Sequence, residues 1–230
     1  MNNLKLNNFK LNNFKPWATL LLVAALSGCA TPGAHADAHA FFLSTQFDDV
    51  RTIRTLLAKG LDPNLTEPQR GDTGMILALR EDANKVFALL LEQPTLNLEA
   101  TSGNGDTALM MASYKHNLPA VVALLKKGAQ VNRPGWSALH YAAASGDDAI
   151  ARLLLKQGAA IDARSPTGVT PLMIAAREGH QGAARILMAA GANASLTSSD
   201  GISALQFAHN ADKPFIADDI AAYLKAKGAR

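Results

Sequence analysis

Two signals recur along this chain and keep step with each other. The first is a pair of adjacent apolar residues followed, after two positions, by a turn-favouring residue. It reads Leu56-Leu57 to Gly60, Leu90-Leu91 to Pro94 and Leu124-Leu125 to Gly128. It continues with Leu154-Leu155 to Gly158, Leu187-Met188 to Gly191 and Leu224 to Gly228. These turn positions lie 34, 34, 30, 33 and 37 residues apart. The second signal is a Ser or Thr leading a short apolar run: Thr107-Ala108-Leu109, Ser137-Ala138-Leu139-His140-Tyr141-Ala142-Ala143, Thr170-Pro171-Leu172-Met173-Ile174-Ala175-Ala176 and Ser203-Ala204-Leu205. Each period predicts two helices. The leading Ser or Thr caps the first by accepting from a free backbone N–H, and Pro171 suits a first helical position, where no N–H is needed. In the second helix Val121, Leu124 and Leu125 stand at i, i+3 and i+4 on one inward face, and Gly128, Gly158 and Gly191 suit its left-handed end. The small pair Ala142-Ala143 lets a first helix lie close to its neighbour. A lone unit would leave an apolar face bare, so stability must come from stacking.

The T-P-L-M-I-A-A start at Thr170 and the L-L-x-x-G-A end at Leu154 resemble the ankyrin repeat. That resemblance implies an all-α solenoid of about six helix-turn-helix repeats with short hairpin fingers. Expected bounds are 40–65, 66–99, 100–132, 133–162, 163–195 and 196–230, within one array over 40–230. Several departures stand out. The first unit lacks a finger and starts at Phe41. Ile76, Met110, Met173 and Gln206 replace the family's histidine, which His140 alone keeps. His140 is expected to hydrogen-bond between loops, and His180 fills a second structural histidine slot. The connection from Asn132 to Trp136 is about three residues short, which predicts a stubby finger. About four extra residues around Asp212–Asp219, with Pro214, predict an irregular turn in the last unit.

The resemblance also implies where a partner would sit: on a concave face built from finger tips and from the ends of the first helices. On this sequence those ends are Arg80 and Glu81, Tyr114 and Lys115, Ala144 and Ser145, and Arg177 and Glu178. The finger tips are Gln69, Arg70, Asp72, Asn104, Asp106, Trp136, Val169 and Ile202. Tyr114, Trp136 and Arg177 are expected at the centre, aromatics and arginine being the residue types that most often carry interface energy. Against that stand two plainer readings: Trp136 packs over the short finger, and Arg177 with Glu178 is a solvated pair.

The N-terminus reads as an address. Residues 1–15 are polar and basic, and an apolar run follows from Trp17 to Leu26. Ten residues rise only ~15 Å as a helix, half a bilayer core, so the run fits a signal peptide over 1–28 better than a membrane span. Leu26-Ser27-Gly28-Cys29 resembles the bacterial lipobox, which implies lipidation of Cys29 and an anchor in the cell envelope. With Ala30 rather than Asp after it, the resemblance favours the periplasmic face of the outer membrane in a Gram-negative source. Ordinary cleavage after Ala36 or Ala40 is the competing reading, ten or more residues beyond Leu26. Residues 29–39 show no periodicity and read as a flexible tether.

Charge changes the picture only once this segment is set aside. The 22 basic residues against 19 acidic ones include Lys5, Lys10 and Lys15, so the chain from Cys29 onward holds 19 of each and no overall footprint for nucleic acid. A single cysteine excludes an internal disulfide framework. No H-E-x-x-H, C-x-x-C, G-x-S-x-G or Walker-type loop occurs, and Gly103-Asn104-Gly105-Asp106-Thr107-Ala108 matches a dinucleotide fingerprint only by letter, lacking the strand before it. The expectation is a non-enzymatic, envelope-anchored module for a protein partner, with no cofactor, metal, nucleic acid or small-molecule substrate. Alternatives are an exported effector that binds a host protein, or a metal-binding or enzymatic protein using His35, Asp37, His39 and His140.

Overall fold

The computed structural model describes residues 32–228. Cys29, the signal segment and Ala30 lie outside the described residues. Among the described residues twelve helices alternate between two layers. The inner layer holds α1 (Pro32–Gln46), α3 (Gly74–Arg80), α5 (Ala108–Tyr114), α7 (Ala138–Ser145), α9 (Pro171–Glu178) and α11 (Ala204–Asn210). The outer layer holds α2 (Val50–Ala58), α4 (Asn84–Leu91), α6 (Leu118–Lys126), α8 (Asp148–Lys156), α10 (Gln181–Ala189) and α12 (Pro214–Gly228). Each inner helix from α3 to α9 packs on the inner helices before and after it and on its own outer helix, while α1 and α11 have one inner neighbour each among the described residues.

Burial follows from that sandwich. Every residue of α3 and α5 is buried except the last, and Ala78, Ala112, Ala142, Ala143, Ala175 and Ala176 are fully so. Alanine lets helix axes close up, while Leu109, Leu139 and Leu172 fill the gaps between them. The outer helices bury one stripe only, such as Val121 and Leu124 in α6 or Ile150 and Leu154 in α8.

The inner helices from α3 onward begin with variants of one cap. The Thr73, Thr107, Thr170 and Ser203 hydroxyls accept from the N–H three residues on, at 3.3–3.4 Å. In α5, α9 and α11 the residue there returns the favour, although its chemistry varies, while Ile76 in α3 has no acceptor to offer. Met110 Sδ accepts from the Thr107 N–H at 3.5 Å, Met173 Sδ from Thr170 at 3.4 Å and Gln206 Oε1 from Ser203 at 2.9 Å. In α7 the acceptor is His140 Nδ1, 3.2 Å from the Ser137 nitrogen. Its other nitrogen, Nε2, lies 3.0 Å from the Val169 carbonyl in the next finger. A backbone N–H can only donate and a carbonyl can only accept, so the ring carries its proton on Nε2 and is neutral. Burial pushes its pKa down to about 4.

The turn between the two helices of a repeat needs one residue in the left-handed region. Gly146 and Gly179 fill it in the fourth and fifth repeats, but Asp48, Asp82, His116 and Asp212 do so elsewhere, at φ +54 to +57°. Non-glycine residues pay roughly 1 kcal/mol for that conformation, and Asp is among the less penalised. Several of these turns are tied to the next repeat. Asp48 Oδ1 accepts from the Val86 N–H at 2.8 Å, and His116 Nδ1 lies 3.1 Å from Asp147 Oδ2. His180 places Nε2 3.0 Å from the Ala144 carbonyl, at the end of the preceding inner helix.

Three local expectations meet the structure differently. The stubby finger is present: backbone bonds of 2.9–3.0 Å close the other fingers, Glu67 N–H to Asp72, Ser102 to Asp106, Ser165 to Val169 and Ser198 to Ile202, and none closes 132–137. The segment read as a tether is helical from Pro32, because Ala36, Ala38 and Ala40 favour helix strongly without marking an apolar stripe. The irregular last turn is absent. Asp212 makes the same left-handed turn as its counterparts, and the extra residues lengthen α12 instead. At that end Gln206 and His209 are exposed, where their counterparts Met173 and Ala176 are buried.

Two stability measurements follow. A Cβ on Gly146, at φ +74°, would stand 2.3 Å from His180 Nδ1, whereas one on Gly158, at φ +82°, would meet nothing within 4 Å. In urea unfolding, Gly158→Ala should lose about 1 kcal/mol for the backbone alone, and Gly146→Ala clearly more, upwards of about 2 kcal/mol. For His140 the folded pKa lies below the ordinary value of 6.5, so the unfolded chain binds the extra proton between pH 6.5 and 4. Its contribution is therefore complete above pH 6.5 and is lost as pH falls through that window. Between pH 7 and pH 5 the native chain should lose about 2 kcal/mol more than His140→Met, which carries the neighbouring repeats' residue.

Candidate functional site

The ends of the inner helices in the second, third and fourth repeats enclose an open depression. Asp82, Tyr114, Lys115, His116, Ala144 and Ser145 line it. Its floor is small because α7 ends in Ala144 and Ser145, and its walls are polar because α3 and α5 end in charged turns. Lys115 Nζ is held between the Arg80 carbonyl and Asp82 Oδ2, each at 2.9 Å. The Asp82 and His116 side chains remain 62% and 58% exposed, leaving an acidic and an imidazole group at the rim.

Beneath the rim lies a fixed polar layer. Arg80 grips the fully buried Asp72 with two bonds, Nε to Oδ2 at 2.7 Å and Nη2 to Oδ1 at 3.0 Å. A bidentate, charge-assisted pair of this kind fixes the finger relative to the end of its own helix. Asp106 Oδ1 accepts from the Tyr141 hydroxyl of the next repeat. Burial, then the Asp106 carboxylate, push that hydroxyl well above its ordinary range, so it stays a donor. The Tyr114 and Tyr141 rings meet edge to face, 6.2 Å apart, and so hold Tyr114 at the depression from behind.

Set against the sequence expectations, the residues separate. Tyr114 and Lys115 line the depression, and Glu81 is exposed beside it. Arg80 and Asp72 satisfy one another and are not free recognition groups. Val169 is not an open finger tip: it is 5% exposed and its carbonyl is committed to His140. Asp106 is likewise taken by Tyr141. Trp136 is half-buried, with its ring edge to face on His140 at 5.2 Å, and Arg177 Nε bonds Glu178 Oε1 at 2.8 Å. Of the expected centre, Tyr114 lines the depression, whereas Trp136 and Arg177 are not among its lining residues.

Sequence reasoning missed Asp82, His116 and Phe47. The first two hold positions where the family places glycine, a departure visible in the sequence. Phe47 stands one residue before the left-handed Asp48, in register with Glu81 and Lys115, and is 75% exposed. Register alone would have identified it. The tether groups His35, Asp37 and His39 lie on α1 and His140 is sealed in α7. Among the described residues no three His, Cys, Asp or Glu side chains converge as metal ligands.

Comparison with known proteins agrees with this architecture. A family model described as ankyrin repeats (3 copies) matches residues 41–135, 75–165 and 131–200. The fold is similar to a crystal structure of an ankyrin repeat domain from Acinetobacter baumannii, with TM-score 0.66 and 25% identity over 80% of this chain and 96% of that one. Among curated proteins, the human transient receptor potential cation channel subfamily A member 1 is 31% identical over 114 residues, 48% of this chain and 10% of the channel subunit. The mouse neurogenic locus notch homolog protein 1 is 33% identical over 138 residues, 59% of this chain and 5% of that protein. The chain thus spans a tenth or less of these relatives' length, and what it shares with them is the array. Repeat register, capping exchange and family match coincide over the same residues, and the chain belongs to the ankyrin repeat family.

Proposed function

We propose that this protein is a non-enzymatic adaptor of the bacterial envelope, anchored through lipid on Cys29 and capturing a protein partner at the ends of its inner helices. Ankyrin arrays point to protein–protein interaction, and the observation that carries the reading here is the open depression around Tyr114. Its aromatic is braced by Tyr141, and its rim presents Asp82 and His116 as adaptable polar contacts. Rigid aromatics flanked by polar groups suit protein recognition better than catalysis, which needs a nucleophile or a base aimed at a reacting atom. The partner is an envelope protein, and the anchor raises its effective concentration by confining both to one surface. The lipobox-like Leu26-Ser27-Gly28-Cys29 supports the anchor, and Ala30 rather than Asp after it supports the periplasmic side of the outer membrane in a Gram-negative source.

Two measurements test this. Photo-crosslinking probes at Phe47 and His116 should yield one common protein adduct in intact cells, and a probe at Gln157 on the outer layer should not. Tyr114→Ala should reduce that adduct about tenfold while lowering the melting temperature by no more than roughly a few degrees. Equal adducts from both layers would sink the site assignment. Separately, Cys29→Ser should move the chain from the membrane fraction to the soluble one. A soluble native chain beginning at Asp37 or Phe41 would show ordinary cleavage after Ala36 or Ala40 and no anchor.

A further inference from the structure

Charge is not spread evenly over this nearly neutral chain. Residues 32–228 hold 18 Lys and Arg against 19 Asp and Glu, once Lys5, Lys10, Lys15 and Arg230 are set aside. Nine of those cations belong to five outer helices, α2 to α10, with their caps. Helix α2 gives Arg51 and Arg54 with Lys59 at its cap, and α4 gives Lys85. Helix α6 gives Lys126 with Lys127 at its cap, α8 gives Arg152 and Lys156, and α10 gives Arg185. All nine are exposed. The same helices and caps carry four acids, Glu92 and Asp148 with Asp49 and Asp147 at two N-caps. The remainder of the described chain has the reverse balance, nine basic residues against 15 acidic.

Helix stability accounts for part of this and not the rest. Lys126 and Lys156 stand in a last helical turn, where the helix dipole favours a cation. Arg54 and Arg152 stand mid-helix, where the dipole is indifferent, and Lys85 in a first turn, where it is unfavourable. Nor are these charges consumed internally. Among the described residues the Lys and Arg ion pairs involve Arg80, Lys115, Arg177 and Arg185, so only Arg185 comes from the outer set. The same layer also exposes apolar groups, with Val122 49% and Phe215 74% accessible. Val122 shares the register of Arg54, Arg152 and Arg185, each six residues beyond its repeat's left-handed turn.

We infer that the outer-helix face rests on an anionic phospholipid surface. The cations approach lipid phosphates while Val122 and Phe215 reach headgroup depth. Exposed apolar side chains among cations match a bilayer interface, whereas a nucleic acid backbone offers them nothing. The inference goes beyond the adaptor reading and does not need the anchor. Seated this way, the array turns the depression around Tyr114 away from the bilayer.

The test uses the chain from residue 30 onward, which lacks Cys29 and keeps all twelve helices and their shared core. It should co-sediment with vesicles containing roughly one-third phosphatidylglycerol in phosphatidylcholine and not with pure phosphatidylcholine, and release as salt rises. The triple variant Lys126→Glu, Lys127→Glu, Arg152→Glu should bind about 100-fold more weakly. A matched reversal on the fingers, Arg70→Glu, Arg133→Glu, Arg164→Glu, should change binding by less than about threefold. The neutral triple to Gln reads the same loss should the Glu variant melt early. Equal binding to neutral vesicles, equal loss from both reversals, or tighter binding to duplex DNA than to the anionic vesicles would each overturn it.

Discussion

The burial of each inner helix on both flanks is the constraint from which the rest of the architecture follows. A helix pressed between two others cannot spare a polar face, so α3, α5, α7 and α9 are apolar nearly all round and rich in alanine where axes approach. No repeat can complete that burial by itself. Each large side chain sealed between neighbours contributes roughly 1.5–3 kcal/mol, and most of that appears only when the next repeat is in place. The outer helices close one side of each unit and are left free to be polar on the other. That arrangement leaves two surfaces on one core: the ends of the inner helices and the exposed stripe of the outer ones.

Polar contacts between repeats fix what apolar stacking leaves loose. Flat, alanine-lined surfaces could slide past one another, but hydrogen bonds cannot. His140 reaching Val169, His180 reaching Ala144, Lys115 reaching Arg80 and Ser145 reaching Ser113 each allow a single register. On the opposite edge Asn64 and Asn132 clamp the backbone of the following loop, Asn132 with bonds of 2.8 and 2.7 Å. Buried side-chain nitrogens and oxygens among the described residues all find partners. The depression around Tyr114 inherits its shape from these links, since Lys115, Ser145 and Tyr141 each serve a neighbouring repeat.

Repeat number, helix pairing and most turns were legible because they rest on periodic patterns and on local chemistry, such as a Thr three residues before the N–H it accepts from. What escaped depended on partners distant in sequence or on signals that periodicity does not carry. Arg80 and Glu81 look equivalent on paper. Only the fold carries Asp72 back across the finger to occupy Arg80 and leave Glu81 in solvent. Trp136 and Tyr114 look equally available, yet one lies against His140 and the other at an open rim. Helix α1 was hidden because alanine promotes helix without advertising a buried face. The methionines in place of histidine marked a departure in sequence, but their service as sulfur acceptors for a cap was visible only in three dimensions.

Gln206 and His209 give the array a different kind of boundary at its last repeat. A surface that accepts one more identical layer can also accept another molecule, and head-to-tail stacking without closure leads to filaments. A further layer laid on α11 as α11 lies on α9 would bury an amide already engaged by Ser203, and an imidazole where the two preceding repeats keep Ala176 and Ala143. Desolvating those groups opposes such growth. A protein crowded with its own copies on a surface is the one most exposed to that hazard, and two polar side chains make the stack finite.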